Sequence, residues 1–96
     1  MSAECYFLPS VSAPGLTLAQ LAARFQTIGL PATVQPDDET HAWIIIPPHR
    51  TQLYATVQQS LVAFVTLDAS LHDPPSFLPS VERVLREAAF STPAPA

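Results

Sequence analysis

The chain has 96 residues, of which 48% are hydrophobic and only 12% are charged, and its formal net charge is −4. An average soluble domain is about a quarter charged, so this composition supplies a core and excludes a largely disordered chain. The length allows one domain. We expect that domain to span residues 1–90 and to be followed by a disordered Pro/Ala tail over residues 91–96.

Charge and cysteine content exclude several classes of protein. Four arginines and no lysine are too few for the clustered phosphate contacts of a nucleic-acid-binding protein. The single cysteine, Cys5, excludes an internal disulfide and a zinc ribbon, and we expect it to be a small buried core residue. We expect a cytoplasmic protein without membrane contact, because no apolar run approaches ~20 residues and the first residues lack a basic signal-peptide start. Lysine and asparagine, which A-rich codons encode, are both absent, and this indicates a GC-rich, bacterial genome.

The first elements along the chain are a short strand and a helix. Residues 3–8 alternate in polarity, which predicts a strand. Thr17 and Gln20 have the spacing of a capping box, and the apolar residues that follow recur at helical spacing, which predicts a helix over residues 18–28. Gly29 can adopt the left-handed conformation that ends such a helix.

The middle of the chain indicates strands, with one ambiguous stretch. Residues 32–35 and 41–46 flank an acidic turn and predict a hairpin. Residues 50–59 fit either a strand or a helix, and we favour a strand because aromatic and β-branched residues are frequent there. Residues 61–67 predict a further strand, although the turn before them lacks the glycine or asparagine that such turns favour.

A second helix follows, with Ser76 or Ser80 as its cap and an apolar stripe from Phe77 to Ala88. The predicted order is β-α-β-β-β-β-α, an α+β protein with a single antiparallel sheet and two helices on one face. If residues 50–59 instead form a helix, the order becomes a ferredoxin-like β-α-β-β-α-β followed by a C-terminal helix.

No pattern in the sequence predicts catalysis, a metal site or a cofactor. His41 and His49 lie eight residues apart on an extended segment, which separates them by about 26 Å at ~3.3 Å per residue. This is too far for one metal ion, and His72 lies in a separate loop. With two glycines, the chain also lacks a glycine-rich phosphate loop. We therefore expect no catalytic residues and favour a protein that is not an enzyme, with a small enzyme kept as the alternative below.

Residues 41–46 and 61–67 are apolar on both faces of their strands. A sheet that helices cover on one side should carry polar residues on the other, which meets water. Either an edge loop or the Pro-rich segments cover this face, or it is a contact surface, of which an exposed apolar patch is typical. The scarcity of polar surface favours the contact surface. We therefore predict that this face binds another protein or a second copy of the chain, and we expect a homo-oligomer. The predicted partner-binding residues are Trp43, Ile45, Tyr54 and Phe64.

His49 and Arg50 follow two prolines at a stiff corner, where we predict a polar or anionic contact. The acidic turn over residues 37–39 is interpreted as solvated, and as a handle for a basic partner. Size and charge favour a protein-interaction module of the inhibitor or immunity type. The alternative is a ferredoxin-like small enzyme or ligand-binding dimer whose pocket, between sheet and helices, includes His49, Arg50, His72 or Asp73.

Overall fold

The computed structural model describes residues 2–10 and 14–92, with side chains from Cys5 onward within these ranges. In this part of the chain, the helices and strands follow the order expected from the sequence as far as the second helix. A short strand then follows that helix. In chain order they are β1 (Ser2–Pro9), α1 (Leu18–Thr27), β2 (Thr33–Pro36), β3 (His41–Ile45), β4 (Gln52–Gln58), β5 (Leu61–Ser70), α2 (Phe77–Glu87) and β6 (Phe90–Ser91).

The strands form one sheet in the order β2-β3-β4-β5-β1-β6, and all neighbouring strands are antiparallel. The predicted α+β architecture is confirmed. The ferredoxin-like alternative is wrong, because residues 52–58 form a strand. The short β6 was not predicted. It pairs with Leu8 and Pro9, so the predicted tail begins inside a strand, and residues 93–96 of that tail lie outside the described part of the chain.

Helix α1 has the start that the sequence predicts. The Thr17 backbone N–H donates to Oε1 of Gln20 at 2.9 Å, and the Gln20 backbone N–H donates to Oγ1 of Thr17 at 3.2 Å. This reciprocal pair is the predicted capping box. The helix ends at Thr27, and Gly29 follows with φ of +87°, a left-handed conformation that costs glycine little.

Helix α2 begins without the predicted side-chain cap. Ser76 occupies the capping position, but its side chain makes no capping hydrogen bond among the described residues. The Ser80 hydroxyl instead donates to the backbone oxygen of Ser76 at 3.1 Å. Helix α2 is therefore held mainly by its buried face. No helix in the described ranges is long and apolar enough to cross a membrane.

The turn between β4 and β5 explains the ambiguity of this stretch in the sequence. Gln59 and Ser60 both have positive φ, of 54° and 69°, which is the geometry of a type I′ hairpin turn. Asparagine and glycine adopt it most readily. Here the pairing of the long flanking strands imposes it on two residues that do not signal a turn.

The core lies between the two helices and one face of the sheet, and β1, β3, β4 and β5 all contribute to it. Cys5 is not part of this core, because it is exposed. The prediction of a buried cysteine is wrong: Cys5 lies opposite the buried Leu67, but β6 borders β1 only at residues 8 and 9. Large core residues with no exposed surface are Phe7, Leu21, Phe25, Ile44, Ile46, Leu53, Val65, Leu67, Val81 and Leu85.

Candidate partner-binding face

The sheet pairing brings the predicted partner-binding residues to one face. Trp43 lies opposite Tyr54, which in turn lies opposite Thr66. Because side chains alternate along a strand, these residues point away from the helices, while their buried neighbours point toward them. We call this side of the sheet the open face. Its described side chains include Tyr6, His41, Trp43, Ile45, Tyr54, Thr56, Phe64, Thr66 and Asp68.

Aromatic rings pack against one another on the open face. The ring centroids of Trp43 and Tyr54 lie 4.4 Å apart, and His41 stacks on Tyr54 at 5.2 Å with an interplanar angle of 14°. On the neighbouring strands, Tyr6 stacks on Phe64 at 5.4 Å. Centroid separations of about 4.5–7 Å are those of favourable aromatic pairs. Ring packing, and not a covering helix, accounts for the partial burial of these residues.

The structure adds Tyr6 to the residues selected from the sequence. It is 47% exposed and lies on the open face because it is opposite Thr66. Only the pairing of β1 with β5 brings the two together, and strands so distant in sequence give no local signal of their register. Ile45 lies on the same face, opposite Gln52 of β4 and Thr33 of β2.

The acidic turn after β2 is attached to the open face. The Tyr54 hydroxyl donates to Oδ2 of Asp37, which, together with partial desolvation and the negative charge nearby, raises the pKa of Tyr54 to about 12. Asp38 accepts the Thr40 backbone N–H at 2.8 Å and contacts Nδ1 of His41 at 2.9 Å. These hydrogen bonds lower the pKa of Asp38. The turn is exposed, as expected, but it is also ordered by the aromatic cluster.

Negative charge dominates the open face. Asp68 lies on it, opposite Gln52, and its Oδ1 atom is buried without a hydrogen-bond partner among the described residues. The arginines lie elsewhere: Arg24 in α1, Arg50 in the β3–β4 loop, and two in α2. The two α2 arginines are paired within the helix, Arg83 with Glu87 at 3.1 Å and Arg86 with Glu82 at 3.3 Å.

The corner predicted to contact an anion contains a carboxylate of the chain itself. The backbone N–H groups of Arg50 and Thr51 donate to the two carboxylate oxygens of Asp73 at 2.8 and 2.7 Å. Burial opposes ionisation of Asp73, but hydrogen bonds from Thr51 and Arg50 outweigh it and lower its pKa. The His49 ring stacks on Phe77 with centroids 3.6 Å apart. The corner therefore joins the β3–β4 loop to the start of α2.

The small-enzyme alternative places a pocket between the sheet and the helices, and two clefts in the described part of the chain can be compared with it. The interface is filled by side chains without exposed surface. A cleft of about 230 Å³ near Asp73 and Leu78 and one of about 210 Å³ near Ile28 and Val84 are smaller than the roughly 300–1,000 Å³ of small-molecule sites. Among the described residues, no three metal-ligating side chains come together.

Comparisons with known proteins give no family for this chain: no family model, no curated protein and no solved structure matches it. The described residues therefore define a fold class but no family. The chain is an α+β protein with an antiparallel six-stranded sheet, whose helices cover one face. The other face carries an ordered cluster of aromatic rings and carboxylates.

Proposed function

We propose that this protein is a small protein-interaction module that binds a partner protein through the open face. One observation carries the proposal: rings on four neighbouring strands pack in two groups, His41 with Tyr54 and Trp43 and Tyr6 with Phe64, on the side of the sheet opposite the described helices. Trp, Tyr and Phe are enriched at protein interfaces, where a few such side chains supply most of the binding free energy.

Trp43 and Tyr54 are the central residues of the proposed interface. Three contacts fix the Tyr54 side chain: the rings of Trp43 and His41 and the carboxylate of Asp37. A side chain that is already held in place loses less conformational entropy when a partner binds. Trp43 and Tyr54 therefore provide a large, rigid contact area, of the kind that characterises aromatic anchors.

The charge of the open face indicates the chemistry of the partner. Asp37 and Asp68 lie on it, whereas the four arginines belong to the helices and a loop. A partner with an apolar surface bordered by arginine or lysine complements this face, and its cations can also stack on Trp43. A second copy of the open face would instead set carboxylates against carboxylates. An inhibitor or immunity-type protein that covers a basic surface has this kind of function.

Partner capture with matched variants tests the proposal. Immobilised wild type is compared with Trp43→Asp, Phe64→Asp and Leu71→Asp, with circular dichroism as a check that each variant is folded. Leu71 is 75% exposed and lies in the loop after β5, outside the open face. We expect wild type and Leu71→Asp to retain the same protein, both open-face variants to lose it, and added salt to weaken its retention.

Two results would contradict the proposal. One is retention of the partner by folded Trp43→Asp and Phe64→Asp. The other is equal loss in Leu71→Asp, which would show that any exposed apolar residue contributes in the same way. A retained partner with an acidic contact surface would contradict the charge argument alone, because Asp37 and Asp68 would then repel it.

A further inference from the structure

Strand β1 has an outer edge that is largely unpaired in the described part of the chain. On its inner side, β5 pairs with Ser2 through Phe7. On its outer side, β6 pairs only with Leu8 and Pro9. An open edge of this length presents a row of backbone N–H and C=O groups, which is a template for another strand.

The two edges of the sheet differ in how they are protected. At one edge, β2 has four residues, and it ends at Pro36, two features that discourage further pairing. At the other, β1 has eight residues and an unbroken register with β5 from Ser2 to Phe7. Residues 2–7 contain neither lysine nor proline, and Glu4 is their one charged residue. The side of β1 beyond β5 therefore has few of the usual defences of an edge strand.

The residues that follow β6 are poorly suited to extend its pairing. In the sequence, a continuation of the β6 register would bring Pro93 opposite Tyr6 and Pro95 opposite Glu4. Proline has no backbone N–H and so cannot donate a ladder hydrogen bond. A strand from a second molecule meets no such restriction.

We propose that two copies of the chain pair antiparallel along the outer edge of β1, so that their sheets become one continuous sheet. This dimer surface is distinct from the open face, and the proposal does not depend on the function proposed above. A two-fold axis perpendicular to the sheet relates the copies, so residues opposite each other must point to the same side of the sheet. Odd positions therefore oppose odd positions, and even positions oppose even ones.

The direction of the backbone groups of β1 follows from one hydrogen bond. The Ser10 N–H donates to the Ala89 backbone oxygen at 2.8 Å, on the β6 side of the strand. Successive residues direct their backbone groups to opposite sides, so those of Glu4 and Tyr6 also point to the outer edge. Those of Cys5 point toward β5. A second copy can therefore form hydrogen bonds with Glu4 and Tyr6.

Three symmetric registers pair both Glu4 and Tyr6 with the second copy, and they are centred on Glu4, Cys5 or Tyr6; a register centred on Ala3 pairs Ser2 with Glu4 and leaves Tyr6 unpaired. The first places two glutamates opposite each other, which is unfavourable. The third requires Leu8 to pair with the second copy, although Leu8 already pairs with Ser91. The register centred on Cys5 pairs Glu4 with Tyr6 of the other copy, on both sides of the axis, and it avoids both conflicts.

In this register, the two Cys5 residues face each other at a pair without mutual backbone hydrogen bonds. The Cα separation of such a pair is about 4.5 Å, at the short end of the roughly 4.4–6.8 Å that a disulfide spans. Cys5 is exposed in the single chain, so its thiol is accessible. The short paired segment predicts a weak dimer of the class that buries less than about 1,200 Å².

Oxidative crosslinking at low protein concentration tests the register. Diamide converts two thiols into one disulfide and takes up their two hydrogens. Wild type is compared with the double variant Cys5→Ser/Leu71→Cys, whose cysteine replaces a residue that is 75% exposed. Both rates are divided by the reactivity of the same thiol with iodoacetamide. We expect wild type to crosslink at least tenfold faster, whereas equal rates would overturn the proposal.

Edge variants separate this dimer from binding through the open face. Glu4→Pro removes an outward N–H and leaves the hydrogen bonds to β5, so sedimentation should show a folded monomer at concentrations where wild type dimerises. Glu4→Gln and Trp43→Asp should still dimerise.

A wild type that is monomeric throughout overturns the proposal and leaves the open-face function untouched. Dimer loss in Trp43→Asp would assign the contact to the open face, and a stronger dimer in Glu4→Gln would indicate the Glu4-centred register.

Discussion

The two faces of the sheet are made by the same strands but differ in how their side chains become buried. In β3, Ala42 and Ile44 are 2% and 0% exposed, whereas Trp43 and Ile45 between and beside them are only half-buried. Helices cover the first pair, and neighbouring side chains of the sheet partly cover the second. The helices of the chain therefore cover one face, whereas the side chains of the other face remain partly exposed.

This difference would separate folding from the proposed binding within single strands. Leu53 and Tyr54 are adjacent in β4, yet Leu53 has no exposed surface and Tyr54 belongs to the aromatic cluster. The buried residues hold the strands in position, and the strands in turn determine where the aromatic rings lie. Substitutions on the helix-covered face should therefore reduce the free energy of unfolding most, whereas those on the open face should act mainly on association.

The largest expected effect is on the helix-covered face. Leu53→Ala leaves a cavity in a filled core and should lower the free energy of unfolding by about 2–5 kcal/mol, measured by urea denaturation. The matched open-face change, Phe64→Ala, should lower it by less than half as much, because Phe64 is only half-buried. Equal losses would show that the open face is as important for folding as the core.

The next effect concerns the corner that joins the β3–β4 loop to α2. Asp73→Ala leaves the N–H groups of Arg50 and Thr51 without their acceptor. Thr51 is buried and Arg50 is exposed, so the cost of about 1–3 kcal/mol for a buried donor applies to the Thr51 N–H. In the wild type, ionised Asp73 adds to the free energy of unfolding. This contribution is complete above the pKa of the unfolded chain, about 3.9, and is lost as the pH falls through the lower pKa of the folded protein. The difference between wild type and variant should therefore shrink in acid, and a constant difference would exclude this role.

A smaller effect is expected at the helix starts that support the covered face. Thr17→Ala removes one half of the capping box and should lower the free energy of unfolding by about 1 kcal/mol. Ser76→Ala is the matched control, because Ser76 holds the equivalent position in α2 without a side-chain capping bond. Thermal or urea unfolding should show almost no change for Ser76→Ala, and similar losses in both variants would contradict this distinction.

The smallest effect on stability is expected on the open face itself. Asp37→Asn weakens the acceptor of the Tyr54 hydroxyl and should move the pKa of Tyr54 from about 12 toward 10, as measured by tyrosinate absorbance in a Tyr6→Phe background. Because the folded pKa is the raised one, the stabilisation is complete below pH 10 and is lost as pH rises through 12. An unchanged titration in Asp37→Asn would mean that this hydrogen bond does not hold the ring.

Local patterns predicted the elements whose signals lie within a few residues. The Thr17–Gln20 box and the helix that follows it are such signals, and both are confirmed. The choice of a strand over residues 50–59 was less secure, because Gln59 and Ser60 adopt their turn under the constraint of the hairpin and not from their own preference.

Features that depend on distant pairing were not predictable in this way. The contact of Arg50 and Thr51 with Asp73 crosses more than twenty residues, and the place of Tyr6 on the open face depends on the register of β1 with β5. The exposure of Cys5 likewise depends on how little of β1 is bordered by β6. Composition and alternation contain no information about such registers.

Quenching of Trp43 fluorescence by acrylamide tests the central claim most directly. Trp43 is the single tryptophan of the chain and lies within the aromatic cluster of the open face, so its accessibility reports whether that face is covered. With a partner that itself lacks tryptophan, or whose tryptophans are replaced, quenching should fall when the complex forms, and Leu71→Asp should behave as wild type. Quenching that is equal in the free and the bound protein would show that the partner binds elsewhere.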